Sequence, residues 1–343
     1  MTIMSDQIDA PIAHGGALSE AIARHGGSAS EWLDLSTGIS PFTLPLPEFS
    51  NDTWRRLPEA GDVQRVCELA MRHYGGSVVP IAVPGTQSVI QLLPFLTPNA
   101  SEVAIVSPTY GEYQRAFERM DVVINPVETL DAARGTRAGV AVLANPNNPD
   151  GRETPRDDIF GFVRAQRQRL VVVDEAFADM RQDLSMAGAA GTEPNLVVMR
   201  SFGKFFGLAG LRLGFVFAEP GLARILSDRL GPWAVSGPAL AVAAHAFSRG
   251  NLVSELRDKI DKAHMMTRSA LNMARVSIVG ESELFFCCEV GDGAAVRELL
   301  ASHKVLVRAF DHSPSRIRIG LVPDELSAVR LRETMRLAGQ QTS

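Results

Sequence analysis

Short runs of Val, Ile and Leu recur along most of this chain, each followed by a stretch with helical spacing, and that alternation leaves few folds open. Strands are expected at residues 78–83, 103–106, 122–127, 140–143, 170–173, 196–199 and 213–217. Several of these runs are apolar at every residue rather than at every second one. A strand with that pattern is covered on both faces, as happens when helices pack above and below a sheet. Helical spacing at 88–96, 111–120 and 156–167 supplies the cover. The expected class is α/β, with a mostly parallel, doubly wound central sheet.

Beyond residue 236 the rhythm changes. A long helix at 254–274 precedes strands at 283–290, 305–310 and 316–321, with helices at 294–303 and 324–338 between and after them. This reads as a smaller α+β domain. The expected division is an arm over 1–35 packed on the small domain, a large domain over 36–235 and the small C-terminal domain over 236–343, which a 343-residue chain has room to build.

Charge and cysteine usage narrow the function. The net charge is −5 and the 34 Lys and Arg residues are scattered, so no nucleic-acid partner is expected. Cys67, Cys287 and Cys288 show no Cys-x-x-Cys or His-rich spacing, so no metal site is expected. Adjacent Cys287 and Cys288 would point to opposite faces of a strand, and a reduced, cytoplasmic compartment fits. The first residues are partly acidic with no apolar run, unlike a signal peptide. No stretch approaches the ~20 apolar residues that span a bilayer, and the most apolar segment, 238–247, reads as a buried helix. No membrane partner is expected.

In an open α/β sheet, ligands sit beyond the carboxyl ends of the strands, and five of those ends carry suggestive chemistry. After 196–199 comes Arg200-Ser201-Phe202-Gly203-Lys204, with Arg212 eight residues beyond the lysine. A lysine in this Gly- and Phe-rich setting would lose solvation and favour the neutral, nucleophilic amine. Ser201 and Arg212 suit a phosphate anchored beside it. Taken alone, a surface lysine in a glycine-rich loop reads the same way. Strand 170–173 ends in Asp174-Glu175-Ala176-Phe177, and a carboxylate there needs a cationic partner, a helix to cap or a metal. Strand 140–143 runs into Asn145-Pro146-Asn147-Asn148-Pro149-Asp150-Gly151, an irregular turn from which the Asn148 amide could donate. Pro84-Gly85-Thr86-Gln87 offers backbone N–H groups and a hydroxyl to a phosphate, or is a plain helix cap. Tyr110, ending Ser107-Pro108-Thr109-Tyr110, could stack on a flat ring or simply pack. No Gly-x-Gly-x-x-Gly follows the first strand, which disfavours a nicotinamide dehydrogenase.

In order and spacing these motifs resemble the fold-type I pyridoxal-phosphate (PLP) enzymes, in the histidinol-phosphate aminotransferase branch. The resemblance covers nearly the whole chain and is most specific at 145–151, 174–176 and 201–214. It implies that Lys204 carries PLP as a Schiff base, Asp174 faces the pyridine nitrogen and Asn148 meets the ring hydroxyl. It further implies that Gly85, Thr86, Ser201 and Arg212 hold the cofactor phosphate, with Tyr110 stacked on the ring, in a homodimer whose sites lie at the subunit interface. Ala13-His14-Gly15-Gly16, Leu33-Asp34-Leu35-Ser36 and Ile39-Ser40-Pro41 are similar to the threonine-phosphate decarboxylase family of cobalamin biosynthesis. That likeness gives His14 and Arg308 to the substrate phosphate and Arg318 to its carboxylate. Arg316 shares a strand face with Arg318, so the two could exchange roles. His14 could equally be an exposed histidine in an arm.

The implied reaction is decarboxylation of L-threonine O-3-phosphate. An aminotransferase would use the same residues to break the Cα–H bond, and a non-catalytic PLP-fold binding protein is the reading outside enzymology. Three residues depart from the family pattern. Phe177 stands where many relatives have Tyr and cannot donate to the ring hydroxyl. Leu57 stands where many have a Tyr that reaches the neighbouring subunit's cofactor phosphate. Gly38 stands where the decarboxylase pattern has Asn.

Overall fold

The computed structural model describes residues 15–97 and 99–341. In chain order its strands are β1 (Leu33–Asp34), β2 (Ile81–Val83), β3 (Glu102–Val106), β4 (Val123–Val127), β5 (Val140–Ala144), β6 (Leu170–Asp174), β7 (Leu196–Ser201), β8 (Gly214–Phe217), β9 (Ser277–Ser282), β10 (Phe285–Glu289), β11 (Val305–Leu306), β12 (Arg308–Phe310) and β13 (Ser313–Gly320). Seven of them form the large sheet in the order β2-β8-β7-β6-β5-β3-β4. β4, β3, β5, β6 and β7 run parallel. β8 is antiparallel to both its neighbours.

The continuously apolar runs have the expected cause. Ala141, Leu143, Val171 and Val173 join one buried cluster with helices Ala60–Tyr74, Arg156–Ala165 and Gly237–Phe247. Their neighbours Val140, Val142, Leu170 and Val172 join a second cluster on the opposite face, with helices Glu112–Glu118 and Pro220–Leu230. Each buried Val or Leu among them contributes about 1.5–3 kcal/mol.

Two differences from expectation have local reasons. The strand expected at 78–83 begins at Ile81, because Pro80 has no N–H to donate to a ladder. The link from β7 to β8 holds only helix Phe202–Phe205 and the 3-10 turn Ala209–Leu211, with no crossover helix, so the chain returns antiparallel. That return carries Lys204 and Arg212 along the sheet's end.

β12-β13-β10-β9 form a second, antiparallel sheet. The run expected as one strand over 305–310 is split, because Val305–Leu306 pairs in parallel with β1 whereas Arg308–Phe310 pairs with β13. Helix Leu18–His25 and β1 thereby lie beside helix Gly293–Ser302, with Ala21, Trp32, Ala301 and Leu306 buried between them. Gly151 and Gly280 let the 145–151 loop rest directly on β9, since a Cβ on either would collide with the other segment's backbone carbonyl. Among the described residues no helix is long and apolar enough to cross a membrane, and no group of His, Cys, Asp and Glu could hold a metal ion.

Candidate active site

The carboxyl ends of β5, β6 and β7 open into a cavity of about 310 Å³, closed on one side by residues 37–39 and by Arg318 of β13. Nine of the residues expected at a site line it together: Gly85, Thr86, Tyr110, Asn148, Asp174, Ser201, Lys204, Arg212 and Arg318.

Lys204 lies on the one-turn helix Phe202–Phe205, whose apolar neighbours Phe202 and Phe205 are fully buried. Its carbonyl accepts from the Ser40 N–H at 2.9 Å, so the 38–42 segment is laid over the lysine turn. Gly207, at φ +66°, gives that segment room, because a Cβ there would meet the Phe42 carbonyl. The Lys204 Nζ sits 5.8 Å from the centre of the Phe177 ring. Burial lowers the ammonium from 10.5 to about 8, and Arg318 and Arg212 push in the same direction against the attraction of Asp174. About one amine in ten is therefore neutral at pH 7, against well under one in a thousand for an ordinary lysine.

Asp174 is the last residue of β6. Its carboxylate is buried, with Oδ1 accepting from the Ala176 N–H at 3.0 Å and Oδ2 accepting from the Tyr113 hydroxyl. Burial raises its pKa, and the Tyr113 and Ala176 hydrogen bonds and the nearby Lys204 oppose the rise.

A cradle for an anion forms between β2 and β8. Gly85 has φ +75°, and a Cβ there would lie 2.7 Å from Arg212 Nη2. Arg212 itself is in the left-handed region, φ 52° and ψ 57°, with Nη1 donating to the Ala209 carbonyl at 3.1 Å. Thr86 opens the following helix and Ser201 ends β7. Tyr110 donates to Gln87 Oε1 at 3.1 Å, and Gln87 Nε2 donates to Glu112 at 2.9 Å. Burial drives the Tyr110 phenol up to about 12, so it stays protonated.

Arg318 is 7% exposed. It donates through Nη1 to Asn148 Oδ1 at 2.5 Å and through Nη2 to the Ser36 carbonyl at 3.0 Å, whereas Nε has no protein partner. Burial and the neighbouring Arg308 lower its pKa to about 10. Arg316 is separated from it in role: its Nε donates to Glu289 at 3.1 Å and it does not line the cavity. Arg308 also lies outside the cavity. It lines an adjoining recess of about 130 Å³ with Gly15, Gly16 and Ser36, and it is the cross-strand partner of Arg318. Gly16 N–H donates to Ser36 Oγ at 2.8 Å, which brings the arm to the boundary of both spaces. His14 lies outside the described residues.

Three contacts escaped the sequence reading. Tyr113 sits three residues after Tyr110, and the signal for it was the need of a buried Asp174 for a donor. Gly38 touches an aromatic pair: a Cβ there would be 2.8 Å from Phe177 and 3.0 Å from Phe285, whose rings meet edge-on at 5.0 Å. Behind the site Arg200, 1% exposed, donates to Glu175 Oε2 at 2.9 Å and lies 3.5 Å from Asp179 Oδ2. This ion cluster ties the end of β7 to the chain just past Asp174.

Residues 61–330 match the family described as Aminotransferase class I and II. A protein named Threonine-phosphate decarboxylase from Sinorhizobium sp is 42% identical over 331 residues, 96% of this chain and 98% of that one. Another of that name, from Pseudomonas aeruginosa, is 36% identical over 93% of this chain and 95% of its own. Among solved structures, the histidinol-phosphate aminotransferase from Sinorhizobium meliloti in complex with pyridoxal-5'-phosphate superposes with a TM-score of 0.84, over 100% of this chain and 99% of that one at 19% identity, a likeness of fold.

Proposed function

The chain belongs to the aminotransferase class I and II family, and within it we propose that it decarboxylates L-threonine O-3-phosphate to (R)-1-amino-2-propanol phosphate, a precursor of the cobalamin side chain. The observation that carries this reading is the near-full-length relationship, at 42% and 36% identity, to two proteins named for that activity.

The cofactor is pyridoxal 5'-phosphate, and the residues present fit it. The cavity offers a desolvated amine, a buried carboxylate, a glycine cradle against Arg212 and the Tyr110 ring on its wall. When bound, it supplies an electron sink for the pair released at Cα as the bond to the carboxylate breaks. Arg212, Ser201, Thr86 and the backbone at Gly85 would hold its phosphate, Asn148 Nδ2 its ring hydroxyl and Asp174 its ring nitrogen.

Lys204, with a pKa near 8, provides the nucleophilic amine and can afterwards return a proton to Cα. Arg318 takes the substrate carboxylate and fixes the angle of the bond that breaks, which decides between loss of carbon dioxide and loss of a proton. Its unpartnered Nε supports that role. Arg308, with His14, takes the substrate phosphate. Arg308 and Arg318 are cross-strand partners that line adjoining recesses, which offers two separate cationic anchors to a molecule bearing two anions. The working protein is a cytoplasmic homodimer in this reading. The exposed Trp54 and Leu57 support a partner surface, since large apolar side chains close together in the chain and open to water favour association.

Incubation with threonine phosphate alone tests the proposal. Release of carbon dioxide without any oxo-acid partner supports it. Turnover that waits for an oxo acid and retains the carboxylate would instead identify an aminotransferase.

A further inference from the structure

We propose that Tyr113 is a positioning residue that keeps the Asp174 carboxylate ionised and aligned for a cationic ring nitrogen. The proposal rests on the reading that the cavity holds pyridoxal phosphate with that nitrogen against Asp174.

The geometry leaves both groups little choice. Tyr113 is fully buried in the second core cluster, among Val103, Ile105, Val140 and Val142. A hydroxyl in such surroundings costs free energy unless it is hydrogen-bonded, and the partner it meets is Asp174 Oδ2. Asp174 in turn has a single protein donor on each oxygen, Tyr113 on one and the Ala176 N–H on the other. The backbone donor is fixed by the strand end and also favours the charged carboxylate, to a lesser degree than the phenol. The phenol supplies the larger stabilisation of the charge, and losing it matters because hydrogen bonds to an ionised acceptor are about twice as strong as neutral ones. Burial and the neighbouring Asp174 charge hold the phenol well above its ordinary pKa, so it remains a donor at any pH the protein meets. Tyr110 and Tyr113 stand edge to face, 6.1 Å apart at 87°. One turn of chain thus presents a ring to the cavity wall and a hydroxyl to the acid beneath it.

A carboxylate that loses this donor takes up a proton more readily, and a protonated Asp174 cannot attract a cationic ring. The test compares wild type and Tyr113→Phe in their affinity for two probes. One is pyridoxal phosphate and the other an analogue in which C–H replaces the ring nitrogen. Phenylalanine keeps the ring and the packing. We expect wild type to prefer the parent compound, and Tyr113→Phe to lose affinity for the parent by about ten- to a hundredfold, the range for a hydrogen bond to a charged group. Binding of the analogue should hardly change. We also expect the parent's advantage to disappear at a higher pH in the variant as the medium is acidified, because its Asp174 protonates sooner. A preference for the parent that survives intact in the variant, or equal losses for both compounds, would overturn the role of Tyr113 while leaving the Asp174 assignment standing. A wild type indifferent to the ring nitrogen would overturn both.

Discussion

Replacing Lys204 by methionine should make the cofactor-free protein more stable at neutral pH while ending its chemistry. Burial, aided by Arg318 and Arg212 and opposed by Asp174, brings the Lys204 ammonium from 10.5 to about 8. The unfolded chain keeps the ordinary value. Between about 8 and 10.5 the unfolded chain therefore holds a proton that the folded one has shed, and wild-type stability rises with pH across that window. Below about 8 both states are protonated and the full cost of burying the charge is felt. At 1.36 kcal/mol per pKa unit that cost is about 3 kcal/mol. Methionine matches the length of the side chain and has no charge to bury. Urea denaturation of both cofactor-free proteins should show the variant ahead by about 3 kcal/mol at pH 7, narrowing to roughly 1.5 kcal/mol at pH 9.5. A variant no more stable than wild type at pH 7, or a lead that does not shrink as pH rises, would refute the reasoning. A stabilising loss of function is the signature of a site built at the expense of the fold.

Arg200→Met leaves Glu175 and Asp179 as buried carboxylates without their cation, and should cost about 3–5 kcal/mol in urea or thermal unfolding. A loss below about 1 kcal/mol would show the cluster to be solvated. Gly85→Ala places a Cβ against Arg212 in a left-handed backbone and should weaken cofactor affinity by about 1–3 kcal/mol, read by equilibrium dialysis. Phe177→Tyr adds a hydroxyl on the cavity wall, and the pH midpoint of the bound cofactor's absorbance change should move down. An unchanged midpoint would remove Phe177 from the account of that titration.

How much of this could be read from the sequence differed from element to element. β5, β6 and β7 were legible because both their faces are buried, so hydrophobicity alone marks them. β1 was not, because two residues carry no period and its pairing with β11 depends on chain more than 250 residues away. β9, Ser277–Ser282, is a half-exposed edge strand containing Gly280, whose value is close approach to the 145–151 loop rather than burial. The reversal of β8 was hidden as well, since its composition matches that of the parallel strands of the sheet. The strand-end residues that line the cavity were singled out because topology places ligands there. Tyr113 was missed because it acts from a helix beneath the site, and the recess that holds Arg308 apart from Arg318 left no mark in the strand pattern.

The assignment of Lys204 as the cofactor-bearing amine is tested most directly by borohydride reduction of the reconstituted protein followed by peptide mass analysis. We expect loss of the yellow absorbance and one peptide heavier by a reduced pyridoxal phosphate group, carried on Lys204 and missing from Lys204→Met. No modified peptide after reconstitution, or a modification on a different lysine, would contradict the account at its centre.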